Sequence, residues 1–184
     1  NRGQVTSLPG PNGSGKSTLL QAVYGILPLN EGTLSWKAAA DGNELAHDII
    51  YKSLAIVAPY LELIEEMTAM EFLQFHASFK PFIPNLSYGD ILDAVELPAS
   101  AHKKQIRFFS SGMKQRMKLA QAVSCDVPVI LLDEPCTNLD KNGYVLYDRL
   151  IHRFCKDKLI IVSSNDEGEY FFCREKINIM DYKM

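Results

Sequence analysis

Residues 10–18 read GPNGSGKST, and this stretch decides the fold. Residues 4–8 before it form a short strand candidate, and apolar residues recur at helical spacing over residues 16–27 after it. Glycines let successive backbone N–H groups point inward, and the positive end of the following helix adds to the attraction for an anion. The sequence therefore predicts a phosphate cradle between a strand and a helix.

The nine residues match the P-loop template G-x-x-x-x-G-K-[ST] at every fixed position. We expect Lys16 to face the β- and γ-phosphates of ATP, Ser17 to ligate Mg²⁺ and Thr18 to serve the α- or β-phosphate. An ordinary glycine-rich turn is the alternative, and the full match between strand and helix disfavours it. The predicted nucleotide contacts are Gly10, Pro11, Asn12, Gly13, Ser14, Gly15, Lys16, Ser17 and Thr18.

A second element, VILLDEP at residues 129–135, ends an apolar strand candidate in two acids. Carboxylates at such a place are costly to bury unless they meet a cation. We expect Asp133 to be a second Mg²⁺ ligand, directly or through water, and Glu134 to polarise an attacking water. Taken alone, two acids at a strand end are more often a solvated loop. The P-loop in the same chain favours the catalytic interpretation.

Strands alternate with helices along the chain, which predicts an α/β domain with a mostly parallel sheet and an inserted, largely helical segment at residues 61–124. Thr68 and Glu71 have the spacing of a capping box. Further strands are predicted at residues 33–36, 54–58, 129–132, 159–163 and 176–180. Further helices are predicted at residues 68–79, 88–97, from Ser110 or Ser111 to 123, 144–154 and 167–172, and a polar connection at 38–43.

Bulk properties restrict the class of protein. The length of 184 residues suits one globular domain. A net charge of −3 with a pI near 5.8 gives no overall basic field, which argues against nucleic acid as a partner; a local basic patch is the alternative. The four cysteines lack zinc spacing, so we expect reduced thiols in a cytosolic protein. No apolar run approaches the roughly 20 residues that cross a bilayer, and no signal peptide is visible. Any membrane partner is therefore expected to be another chain.

Three motifs occur in one order: GPNGSGKST, then FSSGMKQR at residues 109–116, then LLDEPCTNLD at residues 131–140. Together they resemble an ABC-type ATPase, and the resemblance extends over nearly the whole chain from Gly3. It implies a single ATP-binding domain, with a P-loop NTPase core at about residues 1–60 and 125–184 and a helical subdomain at about 61–124. It also implies that the family's N-terminal strands, with their adenine-stacking aromatic residue, are missing here.

The segment FSSGMKQR resembles the family signature, with Ser110 and Gly112 in place and Ser111 and Met113 substituted. A serine hydroxyl and free N–H groups at a helix start make an anion site. The resemblance implies that Ser110, Ser111 and Gly112 bind the γ-phosphate held by the opposite subunit; the plain alternative is a capped amphipathic helix. Residues 138–140, Asn-Leu-Asp, resemble the family's D-loop at the dimer interface, and Asp140 is also a helix-cap candidate.

Two positions depart from the family pattern. Tyr60 follows Pro59 where a glutamine is expected; its hydroxyl could bind directly or through water, or the ring could simply pack. Asn165 stands where a histidine contacts the γ-phosphate, and an amide donates a hydrogen bond but carries no charge and exchanges no proton. Hydrolysis is then slower, or Asn165 suffices because Glu134 remains. None of His47, His76, His102 and His152 lies at that strand end.

The first hypothesis is an ATP-hydrolysing subunit of an ABC transporter, with Glu134, Lys16 and Asn165 as the catalytic residues. Two copies, or this chain and a related ATPase, would enclose two ATP molecules and drive separate transmembrane subunits from the cytoplasmic face of the cell membrane. Residues 61–67, LELIEEM, lie where the resemblance places the contact with those subunits; a solvated acidic face is the alternative.

Two other functions remain as alternatives. An ATP-binding regulatory or scaffold module with weak or no hydrolysis is favoured by the missing glutamine and histidine, and opposed by Glu134. A soluble ABC protein acting on ribosomes or DNA is disfavoured, because such proteins usually bring a tandem ATPase domain or a long coiled-coil insertion, and because the pI is acidic.

Overall fold

The computed structural model describes residues 3–38, 42–46 and 49–182. His47 and part of the predicted connection at residues 38–43 lie outside them. The described residues fall into two compact units. The first comprises Asn1–Ile56, Val127–Glu134 and Asp157–Met184, and the second comprises Val57–Asp126 and Pro135–Lys156.

A five-stranded sheet forms the centre of the first unit. The strands in chain order are β1 (Val5–Leu8), β2 (Trp36–Lys37), β3 (Glu44–Leu45), β4 (Leu54–Val57), β5 (Val129–Asp133), β6 (Leu159–Ser163) and β7 (Glu175–Lys176). The main sheet has the order β4-β5-β6-β1-β7, while β2 and β3 form a separate antiparallel pair. Strand β6 pairs in parallel with both β1 and β5, and β1 pairs in parallel with β7. The predicted α/β class with a parallel sheet is confirmed.

The register of these strands determines what meets at the edge of the sheet. Ser163 is opposite Leu8 on one side and opposite Asp133 on the other. The carboxyl ends of β1, β5 and β6 therefore end in one row. Every residue of β5 is buried, as expected for an apolar strand in the interior of a parallel sheet.

Helix α1 (Lys16–Tyr24) begins directly after the glycine loop and is shorter than the predicted 16–27. Gly25 ends it in a left-handed conformation, with φ of 86°. Its N–H and that of Ile26 turn back to the carbonyl oxygens of Ala22 and Gln21. This is the usual glycine termination of a helix.

The second unit contains the other α-helices of the described residues. They are α2 (Ala69–Ala77), α3 (Tyr88–Ala94), α4 (Ala99–His102), α5 (Ser111–Val123) and α6 (Lys141–Phe154). The predicted capping box is present: Glu71 N–H donates to the Thr68 hydroxyl, and the Glu71 carboxylate accepts from Thr68 N–H. Ser87 and Asp90 form a second such box at α3, and Asp140 caps α6.

The C-terminal part of the first unit differs from the sequence prediction. The predicted helix at residues 167–172 is only a short 3₁₀ turn, Glu167–Glu169, capped by the Asp166 carboxylate on Gly168 N–H. The predicted strand at 176–180 is shorter, because β7 stops at Lys176 and Asn178 starts a turn by accepting from Met180 N–H. Hydrogen bonds to the side chains of Asp166 and Asn178 compete with regular structure at these two C-terminal places.

Nearer the N-terminus, the predicted strand at 33–36 begins only at Trp36.

Candidate functional site

The glycine loop follows β1, Asp133 ends β5 with Glu134 directly after it, and Asn165 follows β6. The three predicted elements therefore meet at one edge of the sheet. Ligands of open α/β sheets bind at this edge. A cleft of about 270 Å³ lies there, lined by residues 12–18 and Glu134.

Lys16 lies inside the loop rather than in solvent. It is 5% exposed, and its Nζ donates to the carbonyl oxygens of Gly10 at 2.8 Å and Pro11 at 3.1 Å. The ammonium is therefore held by two neutral acceptors that a phosphate oxygen can replace. Gly10 permits this packing, because a Cβ there would lie 2.9 Å from the Ser14 hydroxyl and from Ile179 Cγ2.

Asp133 is almost fully buried, at 1% exposure. Its Oδ1 accepts from the Ser163 hydroxyl at 2.7 Å, while its Oδ2 is buried with no hydrogen-bond partner among the described residues. A buried, unpaired carboxylate oxygen is costly in an apolar interior. The donor set of Asp133 and the Ser17 hydroxyl consists of oxygen atoms, which suits Mg²⁺. The residues present therefore fit the predicted metal.

Glu134 follows Asp133 in a left-handed conformation, with φ of 44°. Such a backbone costs a residue with a Cβ about 1–2 kcal/mol. The turn is fixed by a hydrogen bond from Glu134 N–H to the carbonyl oxygen of Ser163 at 2.9 Å. Glu134 is half-buried and lines the cleft, where a carboxylate can accept a proton from water.

Asn165 is exposed, and its side-chain Nδ2 donates to Oδ1 of Asn12 at 3.0 Å. The amide thus contacts the glycine loop from the end of β6. Its donor is turned toward the loop where the γ-phosphate of a bound nucleotide is predicted. Ser164 behind it is buried and accepts from Asp166 N–H, which fixes the course of the chain after the strand.

In the second unit, Ser110 caps α5, because its hydroxyl accepts from Met113 N–H at 3.2 Å. Ser110 and Ser111 are exposed beside a cleft of about 440 Å³. The cleft is lined by Glu96, Ser110, Ser111, Gly112, Met113, Arg116, Asn138, Leu139 and Asp140. Exposed N–H groups at a helix start and a hydroxyl beside them can bind an anion.

The turn at residues 138–140 packs against this helix start. Asn138 has a φ of 65°, and a Cβ on Gly112 would lie 3.2 Å from its carbonyl oxygen. On the other side, a Cβ on Gly143 would lie 2.6 Å from Leu139 Cβ. Two glycines therefore permit the close approach of the turn to α5 and α6.

Tyr60 is 40% exposed, and the chain before it is tied to α5. Lys118 Nζ donates to the carbonyl oxygens of Ala58 at 3.3 Å and Pro59 at 3.0 Å. Burial lowers the pKa of Lys118, while Glu62 opposes that change and Lys114 adds to it. Lys118 thus fixes the segment that precedes Tyr60 within the second unit.

The sequence as a whole matches known proteins. The family model for ABC transporters matches residues 1–137. The chain belongs to the ABC transporter family of ATP-binding proteins. An ABC transporter ATP-binding protein of Bacillus subtilis, YybJ, is 31% identical over 91% of this chain and 76% of its own length. One from Nostoc sp. is 36% identical over 97% of this chain and 54% of its own length.

Solved structures of ABC proteins share the fold. One is a dimeric ATP-binding cassette in a post-hydrolysis state with ADP and Pi, with a TM-score of 0.77 and 24% identity over 97% of this chain and 82% of that one. At that identity, the likeness concerns the fold alone. Among the described residues of this ABC protein, no helix has both the length and the apolar character that a membrane span requires.

Sequence reasoning missed three residues that shape the site of this ABC protein. The Ser163 hydroxyl donates to Asp133, and Gly143 leaves room for the Leu139 side chain. Gln115 is 2% exposed, and its side-chain amide donates to the carbonyl oxygen of Pro135 at 2.6 Å. A hydroxyl at the end of β6 and a glycine inside an amphipathic helix are the signals that could have indicated the first two. Gln115 in α5 gave no such signal, because its burial depends on tertiary packing.

Proposed function

We propose that this chain binds and hydrolyses ATP with Mg²⁺ as the ATP-binding subunit of an ABC transporter. The observation that supports the proposal best is the row of strand ends, which brings the P-loop, the Asp133-Glu134 pair and Asn165 to one edge of the sheet. A cleft lined by residues 12–18 and Glu134 lies at that edge. The proposed contacts with the nucleotide in this unit are residues 10–18. We retain one ATP-binding domain, with a core at about residues 1–60 and 125–184 and a helical subdomain at about 61–124.

Each residue has a proposed part in the reaction. Lys16 exchanges its carbonyl partners for β- and γ-phosphate oxygens, and Thr18 serves the α- or β-phosphate. Glu134 accepts a proton as a water oxygen attacks the γ-phosphorus, and the bond to the β–γ bridging oxygen breaks to release ADP and phosphate. Asn165 donates a hydrogen bond to a γ-phosphate oxygen while it remains beside Asn12.

The metal is assigned to residues whose chemistry fits it. Ser17 and Asp133 would hold Mg²⁺, and Oδ2 of Asp133 is the oxygen that gains a partner when it binds. The ion supplies positive charge that neutralises the phosphate oxygens during transfer.

A second subunit completes the proposed site. Ser110, Ser111 and Gly112 of one copy would bind the γ-phosphate held by the P-loop of another, either an identical chain or a related ATPase. The dimeric cassette with ADP and Pi that shares this fold supports the arrangement. Residues 138–140 lie beside the signature residues and are the proposed neighbours of the interface.

The membrane partner is proposed to be a separate chain or chains. Residues 61–67 are the proposed contact, with this chain on the cytoplasmic face of the cell membrane. The family name and the names of the relatives support a transporter. Nucleic acid is not a proposed partner, since the chain carries a net charge of −3.

The experiment is ATP turnover by the purified chain and by Glu134→Gln, which replaces the proposed base with a neutral group of the same size. We expect turnover to fall by about a hundredfold or more in the variant, with ATP binding retained, because general-base catalysis contributes about 10²–10⁴. A wild-type rate no higher than that of Glu134→Gln contradicts the enzymatic proposal.

A second candidate function is an ATP-binding regulatory module with weak or no hydrolysis. It is favoured by Asn165, whose neutral amide is hydrogen-bonded to Asn12. It predicts tight ATP binding together with equal, low turnover in the wild type and Glu134→Gln. The same experiment therefore separates the two functions.

A further inference from the structure

Glu96 lines the cleft of about 440 Å³ beside Ser110 and Ser111, and its side chain joins two helices of the second unit. Its Oε2 accepts from Arg116 Nη1 on α5 at 3.1 Å, and its Oε1 accepts from Arg149 Nη2 on α6 at 2.6 Å. Arg116 Nη1 also donates to the carbonyl oxygens of Val95 at 3.2 Å and Glu96 at 3.4 Å. One carboxylate thus lies between two guanidinium groups.

The two arginines favour the charged form of Glu96. The hydrogen bond from Arg149 has the largest effect on the Glu96 carboxyl and lowers its pKa. Burial, the second largest effect, raises the pKa, and the hydrogen bond from Arg116 and the charges of both arginines lower it further. At neutral pH the carboxylate is ionised, as an ordinary glutamate is, and the pairing favours that form further. Without it, Arg116 and Arg149 lose the anion that they share, and two like charges remain on neighbouring helices.

The backbone of Glu96 does not explain why a glutamate occupies this position. Its φ is 55°, a left-handed value that is unfavourable for any residue with a Cβ. The side chains of Glu96 and Arg149 are 48% and 55% exposed, and Arg116 is 19% exposed. An exposed ion pair adds little to stability, and the more buried Arg116 also donates to two carbonyl oxygens besides the Glu96 carboxylate. The cost of the backbone and the gain from the pairs are of similar size and opposite sign. Folding stability is therefore a poor reason for a glutamate at residue 96.

The location of Glu96 suggests a functional reason. Glu96 and Arg116 line the same cleft as Ser110, Gly112 and residues 138–140. Helices α5 and α6 both begin at this cleft, where Ser110 and Asp140 are their capping residues. Arg116 lies in the second turn of α5 and Arg149 lies further along α6. A shared carboxylate between them restricts how the two helices, and with them their first turns, move relative to each other.

We propose that Glu96 is a positioning residue that acts through Arg116 and Arg149. It holds the first turn of α5 and the turn at residues 138–140 in the arrangement that receives the γ-phosphate of a nucleotide bound to another copy. This inference rests on the proposed function, because it assigns a task in the two-subunit site. Glu96 itself contacts no nucleotide in this scheme.

The first test measures hydrogen exchange at residues 111–116 and 138–143 without nucleotide. Glu96→Gly relieves the left-handed backbone and removes the carboxylate. Asn85→Gly is the matched control, because Asn85 has a φ of 67° but lies outside the cleft. We expect exchange in both segments to rise about tenfold or more in Glu96→Gly, to rise less in Glu96→Gln and to stay unchanged in Asn85→Gly. Equal exchange in Glu96→Gly and the wild type overturns the inference.

The second test measures steady-state ATP turnover for the same variants. We expect kcat to fall about tenfold in Glu96→Gly with the KM for ATP and the thermal midpoint unchanged, because the P-loop unit is untouched. A kcat equal to that of the wild type also overturns the inference, since Glu96 is then a structural residue only. If the wild type neither turns over ATP nor dimerises with it, the proposed function fails. The exchange result then decides alone whether Glu96 positions the two turns.

Discussion

Asn165 follows β6 at the place where the resemblance to ABC-type ATPases implies a histidine beside the γ-phosphate. Its amide is held by Asn12 and donates one neutral hydrogen bond. A protonated histidine at the same place would donate a charge-assisted bond, which is about twice as strong as a neutral one. In the proposed reaction, the identity of this one side chain is therefore expected to limit the rate of hydrolysis.

Replacing Asn165 by histidine should raise kcat by about tenfold, the equivalent of about 1.4 kcal/mol in transition-state binding. The gain should decline as the pH rises through about 6.5, because the imidazole loses its proton there. Turnover of Asn165→His and wild type between pH 5.5 and 8.5 tests this. Equal or lower turnover in the variant at every pH refutes it, and Asn165→Ala shows what loss of the Asn12 contact does alone.

His76 is a second residue with a specific consequence, this time for stability. Burial, and secondarily Lys80, lower its pKa to about 4 from the ordinary value of 6.5. Its ring lies between Phe72 and Phe82, and its Nε2 lies 3.2 Å from the sulfur of Cys125. The unfolded chain therefore binds a proton at His76 at a higher pH than the folded chain does.

Stability should fall as the pH drops below about 6.5 and continue to fall until about 4, where the folded state also takes up the proton. The loss from His76 between pH 6.5 and 5 is expected to be about 2 kcal/mol, since each unit of pH costs about 1.4 kcal/mol for one proton. Denaturant unfolding of the wild type and His76→Phe at pH 7 and pH 5 measures it. An identical pH dependence in both proteins excludes His76 as its source.

At the scale of elements, α6 and the turn before it depend on a glycine inside a helix. Gly143→Ala places a Cβ 2.6 Å from Leu139 Cβ, so the variant should lose about 1–3 kcal/mol of stability. Gly89→Ala in α3 is the matched control. There a Cβ would meet Ser87 Oγ at 3.6 Å, an ordinary contact, and the change should add up to about 1 kcal/mol.

Chemical denaturation of both glycine variants measures the difference. Opposite signs of the change in unfolding free energy are expected. A neutral Gly143→Ala would mean that the turn at residues 138–140 moves away from α6 at no cost, and that its place beside α5 is not fixed by packing.

Elements with strong local signals could be predicted from the sequence. The Thr68–Glu71 capping box and the helix beginning at Ser110 or Ser111 are confirmed, because their hydrogen bonds connect residues three apart. Elements whose length depends on distant partners could not. Strand β7 is two residues long because it pairs only with Thr6 and Ser7 of β1, and no local pattern states where that pairing ends.

At the scale of the whole molecule, the order of the strands brings the separate motifs of the proposed site close together. Lys16, Asp133 and Asn165 are far apart in the sequence. They follow or end strands β1, β5 and β6, whose carboxyl ends lie side by side because these strands are neighbours and parallel. This juxtaposition could be predicted, since parallel strands share a carboxyl edge. The Asp133–Ser163 bond and the contacts of Glu96 could not, because they depend on register and on helix packing.

The proposed site is only half complete in one chain, since the P-loop and the signature residues are assigned to opposite faces of a nucleotide held by two copies. Glu134→Gln should bind ATP without consuming it. Sedimentation velocity of that variant, with and without ATP and Mg²⁺, therefore tests the central claim most directly. Lys16→Ala in the same background is the control that cannot retain the nucleotide.

We predict that Glu134→Gln changes from a 20.7 kDa monomer to a species of twice that mass when ATP and Mg²⁺ are added. The double variant with Lys16→Ala should remain a monomer. Glu134→Gln that binds ATP and still sediments as a monomer would contradict the two-subunit site.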